Sequence, residues 1–278
     1  MTDRRSRLAN DRVAASELEG WVAAPAYGKG DWRRVVVPVA DLLAAPGGAR
    51  DRQVLYGQRM RVLEVHEGWA FGAAAHDGYV GYVAAEALGD DVAATHRVAV
   101  PATHLYPVPD LKRRERAWLS FGSELRVVSA SGEFFETVEG LFVPKPHLRP
   151  LTAQFADPVT VAQIFFGVPY LWGGNSAAGI DCSGLVQAAC LAAGIDCPGD
   201  TDQQEAALGE TLEPGVPAAR GDVYFWKGHV ALAVDGETLI HANARTMAVT
   251  YEPIAAAIAR IEAQGEGPVT RRARLAAA

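Results

Sequence analysis

The run Val168-Pro-Tyr170-Leu-Trp172-Gly-Gly-Asn-Ser-Ala-Ala-Gly-Ile-Asp181-Cys182-Ser183-Gly184-Leu185 puts one cysteine where a glycine-rich loop turns into a helix. A helix start carries partial positive charge and unpaired N–H groups, which favour a thiolate and can hold a developing oxyanion. Cys182 is therefore a candidate nucleophile. An isolated free cysteine is more often a small buried hydrophobe, so the reading depends on what the rest of the chain supplies.

Outward from that run, the chain after Pro150 reads as helices followed by strands. Asp157-Pro158 starts a helix with proline in its first turn, ending near Phe166 before Gly167. Cys182 to Ala193 forms a second, capped by Gly194, and Asp202 to Leu208 a third. Strands are predicted at Asp222 to Trp226, His229 to Val234, Thr238 to Ala242 and Ala248 to Tyr251, with Ile254 to Ile261 helical. Helices first and an antiparallel sheet afterwards define an α+β domain over residues 151–278.

Before residue 150 short β-rich runs alternate with Gly, Pro and Asp: Arg33 to Val39, Gln53 to Tyr56, Arg59 to His66, Trp69 to Ala73 and Gly78 to Ala84. Strands at this spacing predict a small barrel. The pattern recurs at Arg97 to Val100, Leu105-Tyr106, Ser123 to Val128, Glu133 to Val138 and Leu141 to Pro144. The expected organisation is an N-terminal segment and first barrel over 1–90 and a second barrel over 91–150. Ala14 to Val22 is expected as a short helix leading into the first.

The 278 residues carry a net charge of −7, and the basic residues are scattered apart from a short run from Lys112 to Arg116, which argues against a nucleic-acid surface. No stretch approaches the roughly 20 apolar residues of a membrane span, and the first residues lack the apolar core of a signal peptide. The expectation is a cytoplasmic protein without membrane contact. Three cysteines with no Cys-x-x-Cys suit free thiols in a reducing compartment. Seven histidines show no His-x-x-x-His or clustered Cys/His spacing, so neither a metal nor another cofactor is expected.

A thiol nucleophile needs a base within hydrogen-bond reach and a third polar group to orient that base. His229 and His241 are the candidates. In His229-Val-Ala-Leu-Ala-Val234, alternation puts His229 on one face with Ala231 and Ala233, leaving room for the Cys182 helix to pack there. If Asp235, Gly236 and Glu237 form a three-residue loop, Val234 faces Thr238 and His241 lies opposite Ala231, on the face of His229. A two-residue Asp235-Gly236 turn would pair His241 with Val230 and point it away. A catalytic pair of histidines therefore predicts the looser loop.

Tyr170-x-Trp-Gly-Gly, Asp181-Cys182-Ser183-Gly184, Gly221-Asp222-Val223 and His229-Val230 through Ile240-His241-Ala242 resemble the NlpC/P60 family of papain-like cysteine peptidases. The closing phrases Gly81-Tyr82-Val83 and Leu141-Phe142-Val143-Pro144 resemble bacterial SH3-like domains. The resemblance implies a papain-like NlpC/P60 catalytic domain preceded by two small SH3-like β-barrels. It implies Cys182 as nucleophile, His229 as base and His241 as orienter, with Tyr170, Trp172, Asp181 and Ser183 lining the substrate site. Backbone N–H groups near Cys182 and Ser183, with the Tyr170 hydroxyl, are the expected oxyanion donors.

Two SH3-like parts ahead of NlpC/P60 resemble the γ-D-glutamyl-L-diamino acid endopeptidases, also called dipeptidyl-peptidase VI. The resemblance implies cleavage between D-Glu and diaminopimelate or Lys in murein tripeptides or tetrapeptides with a free N-terminal L-Ala, as in wall-peptide recycling. In that subgroup an Asp and a Ser bind the substrate amine. Asp200 matches the first and Thr201 replaces the second, although Asp200-Thr201-Asp202 also reads as a helix N-cap. A tyrosine and an acid from the first barrel complete the amine pocket. Tyr79 is preferred over Tyr82 for the tyrosine, Gln58 stands where the acid is sought, and Glu64 or Glu67 are the substitutes. The competing readings are a non-catalytic wall-binding adaptor and an acyltransferase on the same scaffold. The complete Cys, His, His set argues against the first and the polar Gly199 to Gln204 segment against the second.

Overall fold

The structure, a computed structural model, describes residues 3–275. The chain forms two compact units with the boundary between Thr152 and Ala153.

In the first unit, seven strands at Asp31–Val35, Val39–Leu43, Arg50–Leu55, Arg59–His66, Trp69–Ala74, Val80–Ala84 and Leu88–Asp90 make one antiparallel sheet. From one edge their order is third, second, sixth, fifth, fourth, first, seventh. Alternating side chains, among them Val35, Leu42, Val54, Met60 and Val83, close over one core. The single run expected from Arg33 to Val39 is two strands. The chain turns between them because Val36 donates its N–H to Ala87, while Pro38 has none to give and offers its carbonyl to Tyr56. The helix expected from Ala14 to Val22 is also absent: Val13–Ala15 is a strand paired in parallel with Ala26–Gly28, followed by one 3-10 turn at Ser16–Leu18. Burying Val13 and Ala15 against Phe71 and Val80 overrides the local preference for helix.

A second core gathers Val98, Leu105, Leu119, Leu125, Val143 and Leu148 from short strands between His96 and Pro150. Both barrels end alike. Val80–Ala84 runs through a 3-10 turn at Ala85–Ala87 into Leu88–Asp90, and Phe142–Pro144 runs through Lys145–His147 into Leu148–Pro150. In each, the last residue of the turn accepts from the start of the barrel, Ala87 from Val36 and His147 from Ala99. The two ends thus share one backbone geometry. The barrels also meet closely, for Tyr56 belongs to the second core and accepts from the Glu124 N–H. Gly57 is required there: its φ is +78°, and a Cβ would stand 1.9 Å from the Glu124 carbonyl oxygen.

The second unit has helices α1 (Pro158–Ile164), α2 (Cys182–Ala192), α3 (Thr201–Ala207) and α4 (Ile254–Ala263). Its antiparallel sheet holds β1 (Glu210–Thr211), β2 (Asp222–Trp226), β3 (His229–Ala233), β4 (Thr238–Asn243), β5 (Ala248–Pro253) and β6 (Arg271–Arg274), in the order β1, β6, β2, β3, β4, β5. Helix α2 packs on β3 and β4, and α1 packs on α2. The alanine face of β3 is not closed by α2 as expected. Ala231 and Ala233 pack with Ala257 and Ile261 of α4, a helix built of Ala and Ile that fits small partners. Strand β6 was hidden by its arginines. It pairs with β2 because the fully buried Asp222 accepts two hydrogen bonds from Arg274, at 2.7 and 3.0 Å.

Candidate active site

The loop before α2 is locked onto the helix start by Asp181, the N-cap. Its Oδ1 accepts from the Gly184 N–H at 2.6 Å and the Ser183 hydroxyl at 3.1 Å, and its Oδ2 from the Gly173 N–H at 2.8 Å. Gly184 has to be glycine, since a Cβ would come within 2.5 Å of the Gly174 carbonyl oxygen. Asp181 and Ser183, expected to line the substrate site, are thus buried and bonded to each other. They position the helix that carries Cys182.

Cys182 is the first residue of α2 and 7% exposed. The Val230 N–H, the Thr201 hydroxyl 3.9 Å away and the Ser183 N–H all favour a thiolate. Burial, reinforced by the Asp181 charge, outweighs them and pushes the thiol up to about 11. Burial, with His241 and Arg260, pushes the His229 imidazole down to about 3. Both shifts disfavour charge, so thiol and imidazole each rest neutral, the form in which an imidazole can accept a proton.

The hairpin has the looser loop. Leu232 pairs with Ile240 and Ala233 with Leu239, and the Val234 N–H donates to the Thr238 carbonyl. Asp235 Oδ1 pins the loop by accepting from the Glu237 and Thr238 N–H groups, each at 2.8 Å. This register brings His229 Nε2 to 2.9 Å from His241 Nδ1.

Behind His241 stands a residue that the sequence reading missed. Glu252 Oε2 lies 3.1 Å from His241 Nε2, close enough for electrostatic attraction but without an aligned hydrogen bond. Arg260 holds this carboxylate at 2.9 and 2.7 Å and keeps it below the usual carboxylate range, with Arg245 at 3.3 Å. A carboxylate beside Nε2 favours the proton there, a tautomer in which His241 Nδ1 accepts from His229 Nε2–H and His229 Nδ1 keeps its lone pair. The only signal in the sequence was an acid one residue past the strand predicted next to that of His241, a strand that in the structure runs on to Pro253.

The other expected residues divide between the units. Thr201 opens α3 beside the thiol, and Asp200 occupies the N-cap position without spending its side chain on the cap. Tyr170 and Trp172 line a cavity with His229, and the Tyr170 hydroxyl is held above its usual range by burial and by the charges of Cys182 and Asp181. Tyr79 corrects the expectation. It is 4% exposed and packs in the first barrel's core with Leu42 and Val54, where its ring has little surface to offer an amine. The tyrosine and acid that the barrel does bring together are Tyr82 and Glu64, joined through Asn10 at 3.2 and 2.7 Å, with Arg12 on the carboxylate. Gln58 is occupied locally, accepting from the Leu55 N–H.

A cysteine at the start of α2, the helix that packs on β3, with one histidine on β3 and a second on the adjoining strand, defines a papain-like architecture. Residues 167–262 match the NlpC/P60 family and residues 42–88 the bacterial dipeptidyl-peptidase Sh3 domain, so the chain carries an NlpC/P60 domain with an N-terminal bacterial SH3 domain. It is 33% identical over 160 residues to the gamma-D-glutamyl-L-lysine dipeptidyl-peptidase of Bacillus subtilis (strain 168), covering 52% of each. It is 35% identical over 85 residues to the dipeptidyl-peptidase 6 of Lysinibacillus sphaericus, covering 31% of each. The chain thus spans about half or less of the length of these relatives. The crystal structure of an NlpC/P60 family protein from Bacillus cereus ATCC 10987 shares the fold, with a TM-score of 0.72 at 19% identity over 88% of this chain and 99% of that one.

Proposed function

We propose that this protein is a cysteine peptidase that hydrolyses the bond between γ-D-Glu and the diamino acid of short murein peptides with a free N-terminal L-Ala. The observation that carries the reading is the Asp200–Thr201 pair at the start of α3, with the Thr201 hydroxyl 3.9 Å from the Cys182 sulfur. An anionic residue one position from the hydroxyl that touches the thiol suits a substrate whose acyl half ends in an ammonium group within two residues. The activity named for the Bacillus subtilis relative supports the same substrate class.

The reaction follows from the resting neutral pair. His229 Nδ1 takes the Cys182 proton as the sulfur attacks the γ-carbonyl carbon. The α2 N-terminal N–H groups and the Tyr170 hydroxyl hold the oxyanion. The His229 imidazolium then returns its proton to the departing α-amine of the diamino acid, leaving a thioester on Cys182. Water, deprotonated by His229, attacks the thioester and releases the dipeptide as its acid with the thiol restored. The proposed setting is wall-peptide recycling in the cytoplasm, where Cys182, Cys190 and Cys197 stay as the free thiols found in the structure.

Turnover of L-Ala-γ-D-Glu-diaminopimelate with and without N-acetylation tests the reading. Acetylation is expected to abolish cleavage, and equal turnover of the two peptides overturns recognition of the amine. Cys182→Ala should lose all hydrolysis while keeping its melting temperature; residual activity overturns the nucleophile.

A further inference from the structure

Beside the catalytic histidine lies a cavity of about 310 Å³, lined by Tyr170, Trp172, His229, Arg245, Arg260 and Glu266 among others. Neither Cys182 nor the Asp200–Thr201 pair lines it. The side of the scissile bond that it serves follows from the proton path. The imidazole hands its proton to the departing amine, so the amine half of the substrate must sit against His229 and extend into the space beyond it.

That space carries both signs of charge. Arg260 is committed, with two bonds to Glu252 and one to Gln264 at 2.9 Å. Arg245 spends a single contact on Glu252, and its side chain is 60% exposed, which leaves most of its donors for a ligand. Glu266 is exposed on the same lining, and its charge acts on the Tyr170 hydroxyl. A guanidinium and a carboxylate sharing one small cavity complement a group that carries an anion and a cation together. Lysine ends its side chain in an ammonium alone. A 2,6-diamino diacid ends in an ammonium and a carboxylate on the same carbon.

We propose that this cavity is the leaving-group subsite, and that Arg245 and Glu266 select a diamino acid whose side chain ends in both carboxylate and ammonium over one ending in ammonium alone. The proposal rests on the cleavage reading above. Arg245 binds the distal carboxylate, and Glu266 binds the ammonium that both amino acids share. Discrimination therefore belongs to Arg245.

The test compares kcat/KM of the full chain on L-Ala-γ-D-Glu-meso-diaminopimelate and L-Ala-γ-D-Glu-L-Lys. The wild type is expected to favour the first by about tenfold, the size of one charge-assisted contact. Arg245→Met should bring the ratio to within about threefold of unity, mostly by raising KM for the diaminopimelyl peptide. Any effect of that variant through Glu252 and His241 falls on both peptides and cancels in the ratio. A wild-type ratio near one, a preference for lysine, or a ratio unmoved by Arg245→Met overturns the subsite. Failure to cleave either peptide overturns the cleavage reading instead. Calorimetric binding of free meso-diaminopimelate and of lysine to the Cys182→Ala protein then still reads the subsite: tighter binding of the diacid, lost in the double variant with Arg245→Met, supports it, and equal binding overturns it.

Discussion

Glu252 is the side chain at which positioning can be told from packing. Its charge raises the proton affinity of both His229 and His241 against the effect of burial, while the Arg260 charge lowers both. Glu252→Gln is expected to cut kcat by roughly ten- to a hundredfold, part of what an oriented base contributes. The direction of the pH response is the more telling result. Without the carboxylate the imidazoles hold protons less tightly, so the acid limb of kcat/KM moves to lower pH. Arg260→Met removes the opposing charge and moves it to higher pH. A purely structural loss would lower activity in both variants and leave the limb in place. The buried thiol makes a second prediction at this scale: with Cys182 pushed up to about 11, its alkylation rate keeps rising through the alkaline range instead of levelling near neutrality.

At the scale of elements, the start of α2 and the β3–β4 hairpin decide whether there is a site at all. Gly184→Ala drives a methyl group against the Gly174 carbonyl oxygen at 2.5 Å, between two backbones held by Asp181. A loss of about 1–3 kcal/mol in stability and a larger loss in kcat are expected, read by calorimetry and by peptide hydrolysis. This region was legible before the structure because its constraints are local. A cap, a glycine-rich turn and an alternating strand follow from neighbours in sequence, and the loop of Asp235, Gly236 and Glu237 followed from requiring the two histidines to share a face. What stayed hidden depends on distant partners. Ala231 and Ala233 announced an open face without saying that α4 would fill it. Glu252 reads as a surface acid until β5 sets it behind His241. Arg271 to Arg274 look like a solvated charge run until two of them are seen at Asp222. Tyr79 and Tyr82 are equivalent in the strand pattern, and only packing puts the first in the core and the second beside Glu64.

For the molecule as a whole, the two barrels of the first unit share a junction without slack. Gly57→Ala meets both a φ of +78° and a carbonyl oxygen 1.9 Å from the new carbon, and is expected to cost at least about 2 kcal/mol, seen as a lower melting temperature. The sheet of the second unit has its own long-range requirement. Asp222 lies fully buried on β2, and Arg274, which holds it, comes 52 positions later. Replacing Arg274 with Met leaves that carboxylate only Arg272 at 3.5 Å and the Ala219 N–H at 2.9 Å, and is expected to lower the midpoint of chemical denaturation. The same distance orders events while the chain is being made. Synthesis delivers the first unit, then the cysteine helix, then both histidines, and only afterwards the arginines that neutralise Asp222. A nascent chain that already holds Cys182, His229 and His241 therefore still lacks a settled sheet, and the proposed site is completed late in its emergence from the ribosome.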